Sequence, residues 1–132
     1  MRFDQRFPSM QKIILVTDDD RHMLKVLEFS LADTGCCLET ATSGEEALEK
    51  AMKKTIDLLL IDVNLPGING LDTVRAIRTQ PAYTKLPVIV LTGGGLDECN
   101  AAAARQVGAT AFLTKPFSPK GLSRQVMKLL AL

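Results

Sequence analysis

Five short apolar runs recur along this chain, and each is followed by a stretch with helical periodicity. The runs occupy 12–17, 37–41, 57–61, 87–91 and 110–114. Runs of this length are too short for helices and read as strands, the Ile/Leu/Val-rich ones buried on both faces. Strands alternating with helical segments are βαβ units, and five of them without repeats or linkers indicate one doubly wound parallel sheet. A length of 132 residues fits one α/β domain with a sizeable core.

The intervening segments carry their own start and stop signals. The first helix is expected over 20–33, with Met23, Leu24, Leu27 and Leu31 on one face, Asp20 as its N-cap and Gly35 just past its end. Ser43 and Glu46 form a capping-box pattern that opens a helix running through Lys54. A third helix is expected over 69–79, stopping before Pro81, and a fourth over 96–107, ended by Gly108. Ser118-Pro119 opens the last one, whose stripe is Leu122, Val126, Leu129 and Leu130. Residues 1–10 read as a short tail and 11–132 as the domain.

Composition narrows the function. Sixteen basic and fifteen acidic residues give a net charge of +1, which offers no case for direct nucleic-acid binding. No apolar stretch approaches the roughly 18 to 20 residues of a membrane span, and the first ten residues lack the apolar core of a signal peptide. Cys36, Cys37 and Cys99 are odd in number and show no CxxC spacing. They read as reduced thiols of a cytoplasmic protein.

The chemistry gathers at strand ends. Asp18 and Asp19 follow the first run, Asp62 the third, Thr92 the fourth, and Lys115-Pro116 the fifth. A carboxylate where a buried strand stops is not core material, because burying it unpaired is too costly. Open α/β sheets place ligand sites beyond the carboxyl ends of their strands, so these residues imply one shared site. Other features have plainer readings. Asp20 is an acid suited to a helix amino terminus. Gly93-Gly94-Gly95 lacks the Gly-Lys-Ser/Thr of a P-loop and reads as a loop of high conformational freedom. Lys120, Arg124 and Lys128 form a solvated helix face.

With Leu65-Pro66-Gly67-Ile68-Asn69-Gly70 added, residues 11–131 resemble a response-regulator receiver domain, the phosphoacceptor module of two-component signalling. The resemblance implies a flavodoxin-like sheet of order 2-1-3-4-5 with five helices. It implies that Asp62 accepts a phosphoryl group from a sensor histidine kinase or a histidine phosphotransfer protein. Mg2+ would be held by Asp19, Asp62 and the backbone carbonyl of Asn64, with Asp18 acting through metal-bound water. Lys115 would pair with Asp62 before transfer and with a phosphoryl oxygen after it. Thr92 and Phe112 would form the switch, altering the face made by the fourth helix, fifth strand and fifth helix for a downstream protein partner. A cis Lys115-Pro116 bond and a short phosphoryl lifetime, the latter tied to Asn64 and Gly94, are also implied.

Other classes remain open on sequence alone. A haloacid-dehalogenase-type phosphohydrolase also uses a strand-end aspartate, but wants a second aspartate two residues on, where this chain has Asn64. A pseudo-receiver would bind partners without phosphorylation, and a phosphorelay intermediate would pass its phosphate onward rather than hold it.

Overall fold

The computed structural model describes residues 11–93 and 98–131, with only the backbone described for 98–101. The expected tail 1–10, Gly94, Gly95 and the side chain of Cys99 lie outside the described residues. The chain runs β1 (Ile13–Thr17), α1 (Arg21–Leu31), β2 (Cys37–Ala41), α2 (Gly44–Lys53), β3 (Leu58–Asp62), α3 (Gly70–Arg78), β4 (Val88–Thr92), α4 (Glu98–Gln106), β5 (Ala111–Thr114) and α5 (Pro119–Leu129). All strand pairs are parallel, in the order β2-β1-β3-β4-β5. This is the flavodoxin-like order expected from the resemblance.

Alternation along each strand divides the core between two faces. Ile14, Val16, Leu58, Leu60, Ile89 and Leu91 pack with Leu24, Leu27 and Leu31 of α1 and Leu122 and Val126 of α5. On the other face Leu15, Leu59, Ile61, Val88 and Val90 pack with Ala47 and Ala51 of α2, Val74 and Ile77 of α3, and Val107. β3 is central, and every one of its five residues is buried.

Element ends follow local hydrogen bonding. Asp20 caps α1, its Oδ1 accepting the N–H of His22 at 2.9 Å. The helix gives way after Leu31 to a 3-10 turn at Ala32–Thr34, so Gly35 (φ 73°) closes that turn rather than the α-helix itself. Ser43 caps α2 through the N–H of Glu46. The Glu46 carboxylate reaches back to the N–H of Thr42 at 2.7 Å, one residue outside the usual capping-box partner. α2 stops at Lys53, and α3 at Arg78. β3 starts one residue later than the apolar run suggests; Asp57, just before it, accepts the N–H of Ile13 on its carboxylate at 2.8 Å and donates its own N–H to the Ile13 carbonyl at 2.8 Å. β4 likewise starts after Pro87, which has no N–H to give but accepts that of Leu59. No helix among the described residues is long and apolar enough to cross a membrane.

Candidate functional site

The parallel register brings the carboxyl ends of β1, β3, β4 and β5 to one edge of the sheet. Thr17 pairs with Ile61, Asp62 with Leu91, and Thr92 with Thr114. Asp18 follows directly on β1, and its N–H donates to Ala41 at 3.1 Å, extending the ladder by one bond. Asp62 is the last residue of β3. Lys115 follows β5, and its N–H donates to the carbonyl of Thr92 at 2.8 Å. The Lys115-Pro116 bond is cis.

These placements bring four side chains together. Oxygens of Asp18, Asp19 and Asp62 all lie within 4.8 Å of one another. The Lys115 ammonium donates to Asp18 Oδ2 at 2.8 Å and to Asp62 Oδ2 at 2.9 Å. The remaining oxygens of the two inner acids meet backbone donors: Asp18 Oδ1 accepts from Asp20, and Asp62 Oδ1 from Asn64 at 3.0 Å. Asp19 is exposed.

One expectation changes here. Carboxylates at strand ends are expected outside the core, because an unpaired one is too costly to bury. Asp18 is 0% and Asp62 5% exposed, so both are buried, and the Lys115 ion pairs together with the backbone N–H donors offset the desolvation.

The charges do not balance. Three carboxylates against one ammonium leave an excess of two negative charges in the cluster. Burial pushes the Asp62 carboxyl above its ordinary range; the Lys115 ammonium and the Asn64 N–H pull the other way without cancelling it, and the charge of Asp18 adds to the rise. Burial acts to lower the Lys115 ammonium, but its bonds to Asp18 and Asp62 outweigh burial and hold it above the ordinary lysine range. A compact group of oxygen donors with surplus negative charge, one of them open to solvent, suits a hard divalent cation such as Mg2+. The donor set therefore fits the expected metal.

The loop after β3 is held close to the acids by Gly70. A Cβ on this residue would lie 2.0 Å from the Asp62 carbonyl oxygen, so only glycine lets α3 start against the end of β3. Asn69 caps that helix. Beside the acids, Asp19, Asn64 and Asn69 line a cleft of about 480 Å³ whose apolar walls include Val63, Leu65 and Leu71.

Thr92 ends β4 at the same edge and is 2% exposed. Among the described residues, no hydrogen bond links its hydroxyl to the acids or to Lys115. Phe112 pairs in register with Val90, two residues before Thr92, and is half-buried against the core of the α2 and α3 face. The two residues thus occupy adjacent strands, without a described contact between them.

A five-stranded sheet of this order, with buried acids on a lysine at its carboxyl edge, defines a receiver-type α/β module. The chain belongs to the response regulator receiver domain family, whose sequence description matches residues 14–127. It is 35% identical over 121 residues to the alkaline phosphatase synthesis transcriptional regulatory protein PhoP of Bacillus subtilis, a match covering 92% of this chain and 49% of that protein. It is 40% identical to the transcriptional regulatory protein CpxR of Escherichia coli, covering 92% of this chain and 50% of the relative. The chain thus spans about half the length of these curated relatives. The crystal structure of the chemotaxis protein CheY4 of Vibrio cholerae superposes with a TM-score of 0.84 at 33% identity, covering 90% of this chain and 98% of that one.

Proposed function

We propose that this domain is a phosphorylation-switched receiver in which Asp62 accepts a phosphoryl group from the phosphohistidine of a sensor kinase or phosphotransfer protein. The observation that carries the reading is the shared Lys115 ammonium between buried Asp18 and Asp62, with Asp19 exposed beside them. An Asp62 oxygen attacks phosphorus, the P–N bond to the donor imidazole breaks, and its electron pair leaves with the ring nitrogen. An anion approaching an anion requires neutralisation of the charge on the phosphoryl oxygens. Asp19, Asp62 and the backbone carbonyl of Asn64 would hold Mg2+, with Asp18 acting through a metal-bound water. The ion supplies positive charge to the phosphoryl oxygens when bound. Lys115 keeps its ionised form and moves from carboxylate to phosphoryl oxygen.

The Thr92 hydroxyl then hydrogen-bonds the phosphoryl group, Phe112 turns inward behind it, and the population of the α4-β5-α5 face shifts for a downstream protein partner. The module is a signalling acceptor of the cytoplasm rather than an enzyme acting on external substrates, and Asn64, exposed beside the acceptor, favours a short phosphoryl lifetime. The test is the intact mass after incubation with acetyl phosphate, with and without magnesium. A magnesium-dependent adduct that disappears in Asp62→Asn supports the reading; an unmodified folded chain that binds magnesium overturns it.

A further inference from the structure

Arg78, the last residue of α3, turns all three guanidinium nitrogens to backbone carbonyls. Nε donates to Val107 at 3.0 Å and Nη2 to Gly108 at 2.6 Å, while Nη1 donates to Tyr83 at 3.0 Å and Thr84 at 3.2 Å. Among the described residues it makes no ion pair. The carbonyls at a helix's carboxyl end are those left without intrahelical donors, and a cation there also meets the negative end of the helix dipole. Arg78 therefore ties the turn after α4 to the turn before β4.

The rest of that corner is equally fixed. Ala104 and Val107 are 0% and 6% exposed. Gly108 turns the chain with φ +80°, and a Cβ there would lie 3.3 Å from Arg78 Nε, so the arginine closes directly over the turn. The N–H of Ala109 donates back to Ala104 at 3.0 Å. This corner leads into the start of β5, at the edge of the sheet opposite the acids. The opposite end of α4, at Glu98, is the one that follows Thr92 in the chain.

We propose that Arg78 is a positioning residue that pins the carboxyl end of α4, so that a displacement passed on from Thr92 turns the helix about Val107–Gly108 instead of sliding it along the sheet. The turning motion rests on the switching function proposed above, whereas the pin does not. Residues that touch neither the acids nor the phosphoryl group would then decide the direction in which α4 moves.

Amide hydrogen exchange on the full chain tests both parts. In the free protein, Arg78→Ala speeds exchange at Gly108 and Ala109 at least tenfold while the β3 amides keep their rates. Arg78→Lys retains charge and stem but not the fork, so it speeds the same amides severalfold in a chain that still folds. Unchanged rates in both variants overturn the pin. With magnesium and beryllium fluoride as a phosphoryl mimic, the wild-type amides of 98–102 change while those of Val107–Ala109 hold. In Arg78→Ala the change spreads to Val107–Ala109. Equal change along the whole wild-type helix overturns the turning motion. A protein that responds nowhere to the mimic counts against the switching function and the turning motion together, with the free-protein rates still deciding the pin.

Discussion

The Lys115 ammonium lies 2.8 Å from Asp18, a residue 97 positions earlier in the chain. The bond crosses the sheet edge from the end of β1 to the end of β5, over β3 and β4. One cation thereby serves two buried acids. Lys115→Met leaves both carboxylates without it, and the expected loss is about 3–5 kcal/mol, the usual range when one partner of a buried pair is removed. Urea unfolding measures it. Magnesium restores part of the loss in the variant, by mass action on the folded state.

Removing one acid works in the opposite direction. Asp62→Asn lowers the excess of negative charge in the cluster from two to one and removes the charge whose burial raises the Asp62 carboxyl. Without metal, the variant unfolds at higher urea than the wild type. The sign with pH follows from linkage. A carboxyl raised in the folded state makes the wild type lose stability as pH rises through that raised value. The gap between variant and wild type therefore opens with rising pH and closes below the ordinary carboxylate range.

Gly70→Ala strikes the site through the backbone. The added methyl meets the Asp62 carbonyl at 2.0 Å, so either α3 or the end of β3 must shift. Overpacking of this kind costs about 1–3 kcal/mol. Acetyl phosphate labelling, read by mass, falls more steeply than in Gly35→Ala, whose turn lies away from the acids and has open space around it.

Glu46 gives a second, independent pH effect. Its carboxyl is held low first by the Thr42 N–H, then by the Thr42 hydroxyl and Lys50, against the opposing effect of burial. A depressed folded value adds stability above the ordinary glutamate range and loses it as pH falls through the depressed one. Glu46→Gln therefore flattens the acid limb of a thermal unfolding series below the ordinary glutamate range.

The three inner strands were legible because their apolar runs are buried on both faces, and the caps Asp20, Ser43 and Ser118 were legible because they act within three residues of their own positions. The acids and Lys115 could be placed at strand ends because a parallel sheet gathers its carboxyl ends at one edge. Side-chain distances are not encoded in periodicity, so the Lys115–Asp18 bond was not legible. Arg78 was invisible for another reason: its partners are peptide carbonyls, which every residue carries. Tyr83 is similar. Its hydroxyl accepts the N–H of Ile56 and lies 2.8 Å from the carbonyl of Ala51, joining segments that share no sequence signal.

β3, like its neighbour β4, has every residue buried and strands paired on both of its sides, and Asp62 is its last residue. A group mounted on such a strand is released only when the whole molecule opens, at close to the global unfolding free energy. The Asp62 carboxylate therefore stands on bedrock. The face proposed to carry the signal, α4, β5 and α5, lies to one side of that strand, so tuning the message and keeping the anchor sound are separate tasks that substitutions can address one at a time.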